Sequence, residues 1–326
     1  MERGLWMDLR QRTRHFSAGM ILFACILRLG MGGLPRLLFP THTETGRTVR
    51  FSLSDQEQVY HVRESPAPWI MEEKVSVVFS KEDAAMIALD NDCALQPDLQ
   101  VLLEQPLQWN LVSDEPAVLI LHTHTTESYT KSGEEYAESS AYRTLEADYN
   151  MLSIGDAVAQ ILTEAGIQVI HDRQIHDYPS YNGSYLHSRS SAEQILEAYP
   201  SICLVLDLHR DALEKQGRQL RPLATLNGEP AAQLMLVVGT NISRQSHKNW
   251  QKNLSLALKL HVQLEREHPG IMRPLNLRSQ RFNQDLSPGA LLIEVGAAGN
   301  TRQEALVAAD ILARGIVSLA RGTESG

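Results

Sequence analysis

Residues 118–130 read VLILHTHTTESYT, an apolar run that ends in His122, followed by His124 and Glu127. Two further apolar runs also end in titratable groups. LVLDLH closes on His209, and LLIEVG carries Glu294. Two imidazoles and a carboxylate can hold a tetrahedral zinc ion and leave one position open. Such an ion polarises a carbonyl and acidifies a bound water. A glutamate that is not a ligand can then serve as general base. A carboxylate inside an apolar run such as that of Glu294 is costly unless it is paired or close to a metal. The two-residue period of an extended chain predicts His122 and His124 on one face, and Asp207 and His209 on one face. Asp207 could then accept the second N–H of a ligand histidine. Arg210, next along, suits a substrate carboxylate, as it would a structural ion pair. Other chemistries have no anchor here. The chain has no G-x-S-x-G or H-E-x-x-H, and no phosphate-binding or dinucleotide glycine motif. Cys203 lies inside ICLVLDLH and reads as a small core residue.

The elements that must position these residues alternate. AVLILH, IQVIH, CLVLDLH, LMLVVGT and ALLIEVG read as strands. Between them, NMLSIGDAVAQILTEAG has helical spacing and a terminal Gly166. SAEQILEAYP reads as a short helix capped by Ser190 or Ser191, NLSLALKLHVQLEREHPG as a helix stopped by Pro269 and Gly270, and RQEALVAADILARGIVSLARG as a closing helix. The pattern predicts an α/β fold with a largely parallel sheet covered by helices on both faces. Ligands in such sheets bind beyond the carboxyl ends of strands, so His122, His124, His209 and Glu294 can meet in one crevice.

That domain is expected over residues 116–326. Residues 41–115 are weakly patterned. VRFSLSD and KVSVVFSKED suggest short strands and EDAAMIALDND a helix, so the region reads as a stalk or small accessory part. Residues 1–40 differ again. Arg3, Arg10, Arg12 and Arg14 precede an uncharged stretch from Phe16 to Leu27, which Arg28 ends. This predicts an uncleaved signal-anchor with its basic end in the cytoplasm and the rest of the chain outside. A cleaved signal peptide is the competing reading, but no clear cleavage site follows. The net charge of −9 and the lack of a basic cluster beyond the N-terminus argue against a nucleic-acid binder. Apolar content of 43% and charged content of 21% mark a folded chain, and three cysteines make no disulfide framework.

Several of these segments, in one order, resemble the stage II sporulation protein P family: LHTHTTESY, HDYPSYNGSY, LDLHRDA, VVGT, NWQKNLSLALKLH, RFNQDLSPGALLIEVG and NTRQEALVAADILA. The resemblance covers residues 116–320, and residues 41–115 add little to it. It implies a membrane-anchored relative of zinc-dependent N-acetylmuramoyl-L-alanine amidases that degrades septal peptidoglycan during engulfment in sporulation. It further implies cleavage of cross-links as an endopeptidase and action alongside stage II sporulation proteins D and M, on the mother-cell side of the septum. By the same resemblance His209 is a zinc ligand and Glu294 the catalytic glutamate. His122 and His124 both qualify as the first ligand. The third is Glu127, in the turn, or else Glu146 or Asp148 in RTLEADYN, with Glu127 preferred. The aromatic segment at 176–185 could border a glycopeptide groove or be a surface loop with buried tyrosines. A zinc peptidase confined to cross-links, or a wall-binding module without activity, are the alternatives.

Overall fold

The computed structural model describes residues 46–51, 58–63 and 79–323, apart from positions 94, 108, 131–141, 227 and 243–245. The segment expected to anchor the chain lies outside the described residues. Among those described, no helix is long and apolar enough to cross a membrane.

The elements in chain order are β1 (Gly46–Phe51), β2 (Gln58–Arg63), α1 (Lys81–Met86), β3 (Leu89–Asn91), α2 (Leu99–Glu104), β4 (Val118–Leu121), α3 (Met151–Glu164), β5 (Val169–His171), α4 (Ser184–Ala198) and β6 (Leu204–Asp211). Then come β7 (Glu214–Lys215), β8 (Arg218–Gln219), β9 (Leu223–Leu226), β10 (Glu229–Ala232), β11 (Leu234–Gly239), α5 (Trp250–Glu267), β12 (Leu275–Arg278), β13 (Ala290–Ala297) and α6 (Arg302–Thr323). Seven strands form the central sheet in the order β3-β12-β11-β13-β6-β4-β5. Every pairing is parallel except β11 with β13. The carboxyl ends of β4, β6 and β13 therefore share one edge, where a crevice can form.

Alternation along the strands builds two cores. Val118, Ile120, Leu206, Leu208, Ile293 and Val295 pack beneath α3, α5 and α6. Leu119, Leu121, Ile170 and Val205 face Ala192 and Ile195 of α4. The predicted mixed fold with helices on both faces of a mostly parallel sheet is what the chain adopts. α3 starts at Asn150, whose side chain accepts from Leu152 N at 2.9 Å. It ends with Gly166 at φ +89°, a conformation that suits glycine.

Two expectations need correction. α4 begins at Ser184, so Ser190 and Ser191 lie within the helix and are not its cap. The serine-rich start is held by tertiary bonds: Ser188 Oγ is 2.8 Å from Thr123 Oγ1, and Ser191 Oγ donates to Asp172 at 2.6 Å. Nor does Pro116 mark a boundary in the fold. EDAAMIALDND splits into α1 and β3, and β3 forms the edge of the main sheet against β12. Leu102 and Leu103 of α2 are buried in the same core as α5. A short segment with little pattern of its own joins the domain through partners it meets only on folding.

Candidate active site

His209 and Glu294 are register partners on β6 and β13. The even positions of β6, Leu206 and Leu208, and the odd positions of β13, Ile293 and Val295, fill the helix-side core. Alternation therefore sends Asp207, His209 and Glu294 to the other face. The HTHTTE turn comes to this face because Asp207 captures it. Thr123 N donates to Asp207 Oδ1 at 2.8 Å, and Thr123 Oγ1 donates to Oδ2 at 2.6 Å. Tyr129 O–H donates to Val295 O at 2.9 Å and ties the following residues to β13 beside Glu294.

The turn delivers His124 and Glu127. The rings of His124 and His209 lie edge to face, 5.3 Å between centroids. Glu127 Oε2 is 3.6 Å from His209 Nδ1, and the same oxygen accepts from Arg210 N at 3.3 Å. Asp207 Oδ1 stands 3.0 Å from His209 Nε2, although that nitrogen is not aligned for a hydrogen bond. Burial alone would keep His209 neutral, but Asp207 and Glu127 outweigh it and raise its pKa well above the ordinary value. Burial would raise Glu127, yet the hydrogen bond and charge of His209 with the charge of Arg210 bring it down to about 2. His124 is lowered to about 4, chiefly by burial. Glu294 is pushed up to about 8 by burial, with the Glu127 and Asp211 charges adding and His209 opposing.

The other expected residues lie elsewhere. β4 ends at Leu121 and residues 123–126 form a turn, so strict alternation does not reach His124. His122 continues the face of Ile120 instead. Its Nε2 meets His171 Nε2 at 2.9 Å, and its Nδ1 is 3.1 Å from Leu208 O. Gly155 allows this approach, since a Cβ there would lie 2.5 Å from both Nε2 atoms. Glu146 and Asp148 are exposed, whereas Glu127 is buried in the cluster. Arg210, expected to contact substrate, is buried. Its Nε donates to Ser128 O and its Nη2 to Tyr142 O, both at 3.0 Å, and Nη1 lies 3.8 Å from Glu127. The guanidinium is engaged by the protein's own chain, through the backbone carbonyls of Ser128 and Tyr142.

Three residues that sequence reasoning did not single out complete the cluster. Asp177 accepts from Thr126 N at 3.1 Å, from Thr126 Oγ1 at 2.7 Å and from Arg143 Nη1 at 2.5 Å. Tyr181 stacks on His124 with centroids 4.5 Å apart. The aromatic run HDYPSYNGSY was the one sequence signal for Asp177 and Tyr181; Arg143 had none.

A zinc ion can be tested against this donor set. As the side chains stand, no group of three His, Cys, Asp or Glu among the described residues encloses a cation. The chemistry of the donors nonetheless fits one. His124 Nδ1, His209 Nε2 and Glu294 Oε2 are all buried without a hydrogen-bond partner, and buried polar atoms ordinarily have one.

The family model for Stage II sporulation protein P (SpoIIP) matches residues 47–317, and the chain belongs to that family. The match begins well upstream of Pro116, in keeping with the place of β3 and α2 in the core. A curated relative, Stage II sporulation protein P of Bacillus subtilis (strain 168), is 29% identical over 211 residues, which cover 61% of this chain and 50% of the relative. The chain thus spans about half the length of that relative. Among solved structures, amidase AmiC2 of Nostoc punctiforme is 15% identical and covers 64% of this chain and 94% of its own, with a TM-score of 0.37. Ami1 of Mycobacterium smegmatis is 14% identical and covers 64% and 98%, with a TM-score of 0.41. An N-acetylmuramoyl-L-alanine amidase from Clostridium difficile 630 is 18% identical and covers 63% and 94%, with a TM-score of 0.37.

Proposed function

We propose that this chain is a zinc-dependent N-acetylmuramoyl-L-alanine amidase that hydrolyses septal peptidoglycan in sporulation. The reading follows from membership of the family and rests most directly on one observation. His124, Glu127, His209 and Glu294 converge at the carboxyl edge of the sheet, and three of the four keep buried polar atoms without a partner. His124, His209 and Glu127 would hold the ion, and zinc when bound would polarise the scissile carbonyl. Glu294 takes the proton from the attacking water and returns it to the departing amide nitrogen as the C–N bond breaks. In the metal-free fold burial pushes this carboxyl up to about 8, and a neighbouring cation would draw it back down toward the range of a general base. Arg210 holds Glu127 from behind through its backbone N–H. Retention at the membrane by residues 1–40, and work beside stage II sporulation proteins D and M, belong to the same proposal.

Metal analysis of the purified chain, together with a digest of peptidoglycan, tests the reading. About one zinc per chain and newly freed L-alanine amines on stem peptides are expected. Split cross-bridges without free L-alanine amines would assign an endopeptidase instead. A folded chain that takes up no zinc even after loading would overturn the metal mechanism.

A further inference from the structure

We propose that Tyr181 and Arg143 are positioning residues that set the His124 ring and the Glu127 carboxylate in place from outside the cluster. The inference rests on the metal reading above and adds residues to it. Tyr181 lies nearly parallel to His124, with 4.5 Å between centroids and 9° between planes. The Arg143 guanidinium carbon lies 4.7 Å from the centroid of the same tyrosine ring. The imidazole and the guanidinium thus both lie against the Tyr181 ring. The same Arg143 reaches Glu127 Oε1 at 3.4 Å through Nη2. One cation thus touches the carboxylate and also the ring that stacks on the imidazole.

The buried Nδ1 of His124 makes no hydrogen bond and is the atom free for a metal. A ligand imidazole must also be held in orientation by what surrounds it. What fixes the plane of the ring is packing: Tyr181 on one face, and Tyr185 and His209 set edge to face at 5.7 Å and 5.3 Å. Tyr181 itself is 53% exposed, so burial does not account for its position. The loop that carries it is pinned to the catalytic turn by Asp177, which accepts from Thr126 and from Arg143. His187 Nδ1, 2.9 Å from His176 O, fastens the loop to the start of α4.

The test uses the full chain and cobalt(II) as the probe, with affinity read by competition against a chromophoric chelator and geometry by the visible absorption of bound cobalt. Tyr181→Leu removes the stacking ring at a half-exposed position. It should weaken cobalt binding by about 10–100-fold and shift the visible bands, with little change in melting temperature. Tyr181→Phe keeps the ring and should restore both affinity and spectrum. Arg143→Lys keeps the charge, so Coulombic repulsion of the cation is unchanged. It loses the planar stack and should weaken binding in the same direction. Tyr181→Leu protein that binds cobalt with wild-type affinity and spectrum would overturn the positioning role alone. A wild-type chain that takes up no cobalt would overturn the zinc reading and this inference with it.

Discussion

Glu294 and His209 are neighbours across β6 and β13, yet burial acts on them with opposite outcomes. His209 has two carboxylates within 3.6 Å, which raise its pKa in the metal-free fold, and binding a metal would release that proton. Glu294 has one oxygen without a partner and is driven toward its neutral form. Those environments separate a ligand from a proton carrier, and substitution should expose the difference. His209→Ala should lose both zinc and turnover, because two remaining ligands hold a metal weakly. Glu294→Gln keeps shape and removes only proton transfer, so zinc content should stay while turnover falls roughly 10²–10⁴-fold. Zinc content and muropeptide release measured on both proteins decide the matter, and loss of zinc from Glu294→Gln would make Glu294 a ligand. Both residues were legible in the sequence because each interrupts an apolar strand. His122 was legible for the same reason but is sent elsewhere: the strand ends one residue before it, and the geometry of a four-residue turn cannot be read from alternation. Arg143 was invisible because its partners, Glu127, Asp177 and Tyr181, are set by loops that meet only in the fold.

At the scale of elements, the long helices were the most readable part. α5 and α6 follow a 3.6-residue period over many turns, and α5 ends just before Pro269 and Gly270, as expected. β3, only three residues long, has no period to read, and exists because β12 offers it a parallel partner. A polar residue on the inner face of a long helix then acquires consequences. His261 of α5 is 3% exposed, and its Nδ1 has no hydrogen-bond partner. Burial lowers its pKa from the ordinary 6.5 to about 4, with Glu265 opposing. The folded chain therefore resists protonation that the unfolded chain accepts. As pH falls from about 6.5 to 4 the unfolded state binds the extra proton, and stability drops with it. The loss is bounded at about 3 kcal/mol, from roughly 1.4 kcal/mol per pKa unit. His261→Leu should remove this part of the acid sensitivity. Denaturant midpoints of both proteins between pH 7 and 4 check it: the two curves should converge near neutrality relative to their separation in acid. Parallel curves would show that His261 contributes nothing to acid unfolding.

At the scale of the molecule, the question is how much chain the active edge needs. The carboxyl ends of β4, β6 and β13 all lie beyond Pro116, yet the sheet they belong to does not end there. β3 covers the outer side of β12, and α2 packs on α5. Ser255 Oγ donates to Leu102 O at 2.7 Å and Lys259 Nζ to Leu103 O, so two polar groups of α5 depend on the upstream segment. Asp83 of α1 pairs with Arg266 at the other end of α5, 2.6 Å apart. Removing this segment takes away Ile87, Leu102, Leu103 and Leu111, all buried, and uncovers the core surface they pack on. Each is worth about 1.5–3 kcal/mol, against a total stability of about 5–15 kcal/mol for a typical domain. A fragment that starts at Pro116 should therefore be unstable or aggregate, while one that starts at Phe79 should unfold cooperatively and retain the site. Thermal melts of the two fragments, followed by far-UV circular dichroism and light scattering, discriminate between these outcomes. A fragment from Pro116 that melts within a few degrees of the longer one would mean that β3 and α2 are appendages and that the domain closes without them.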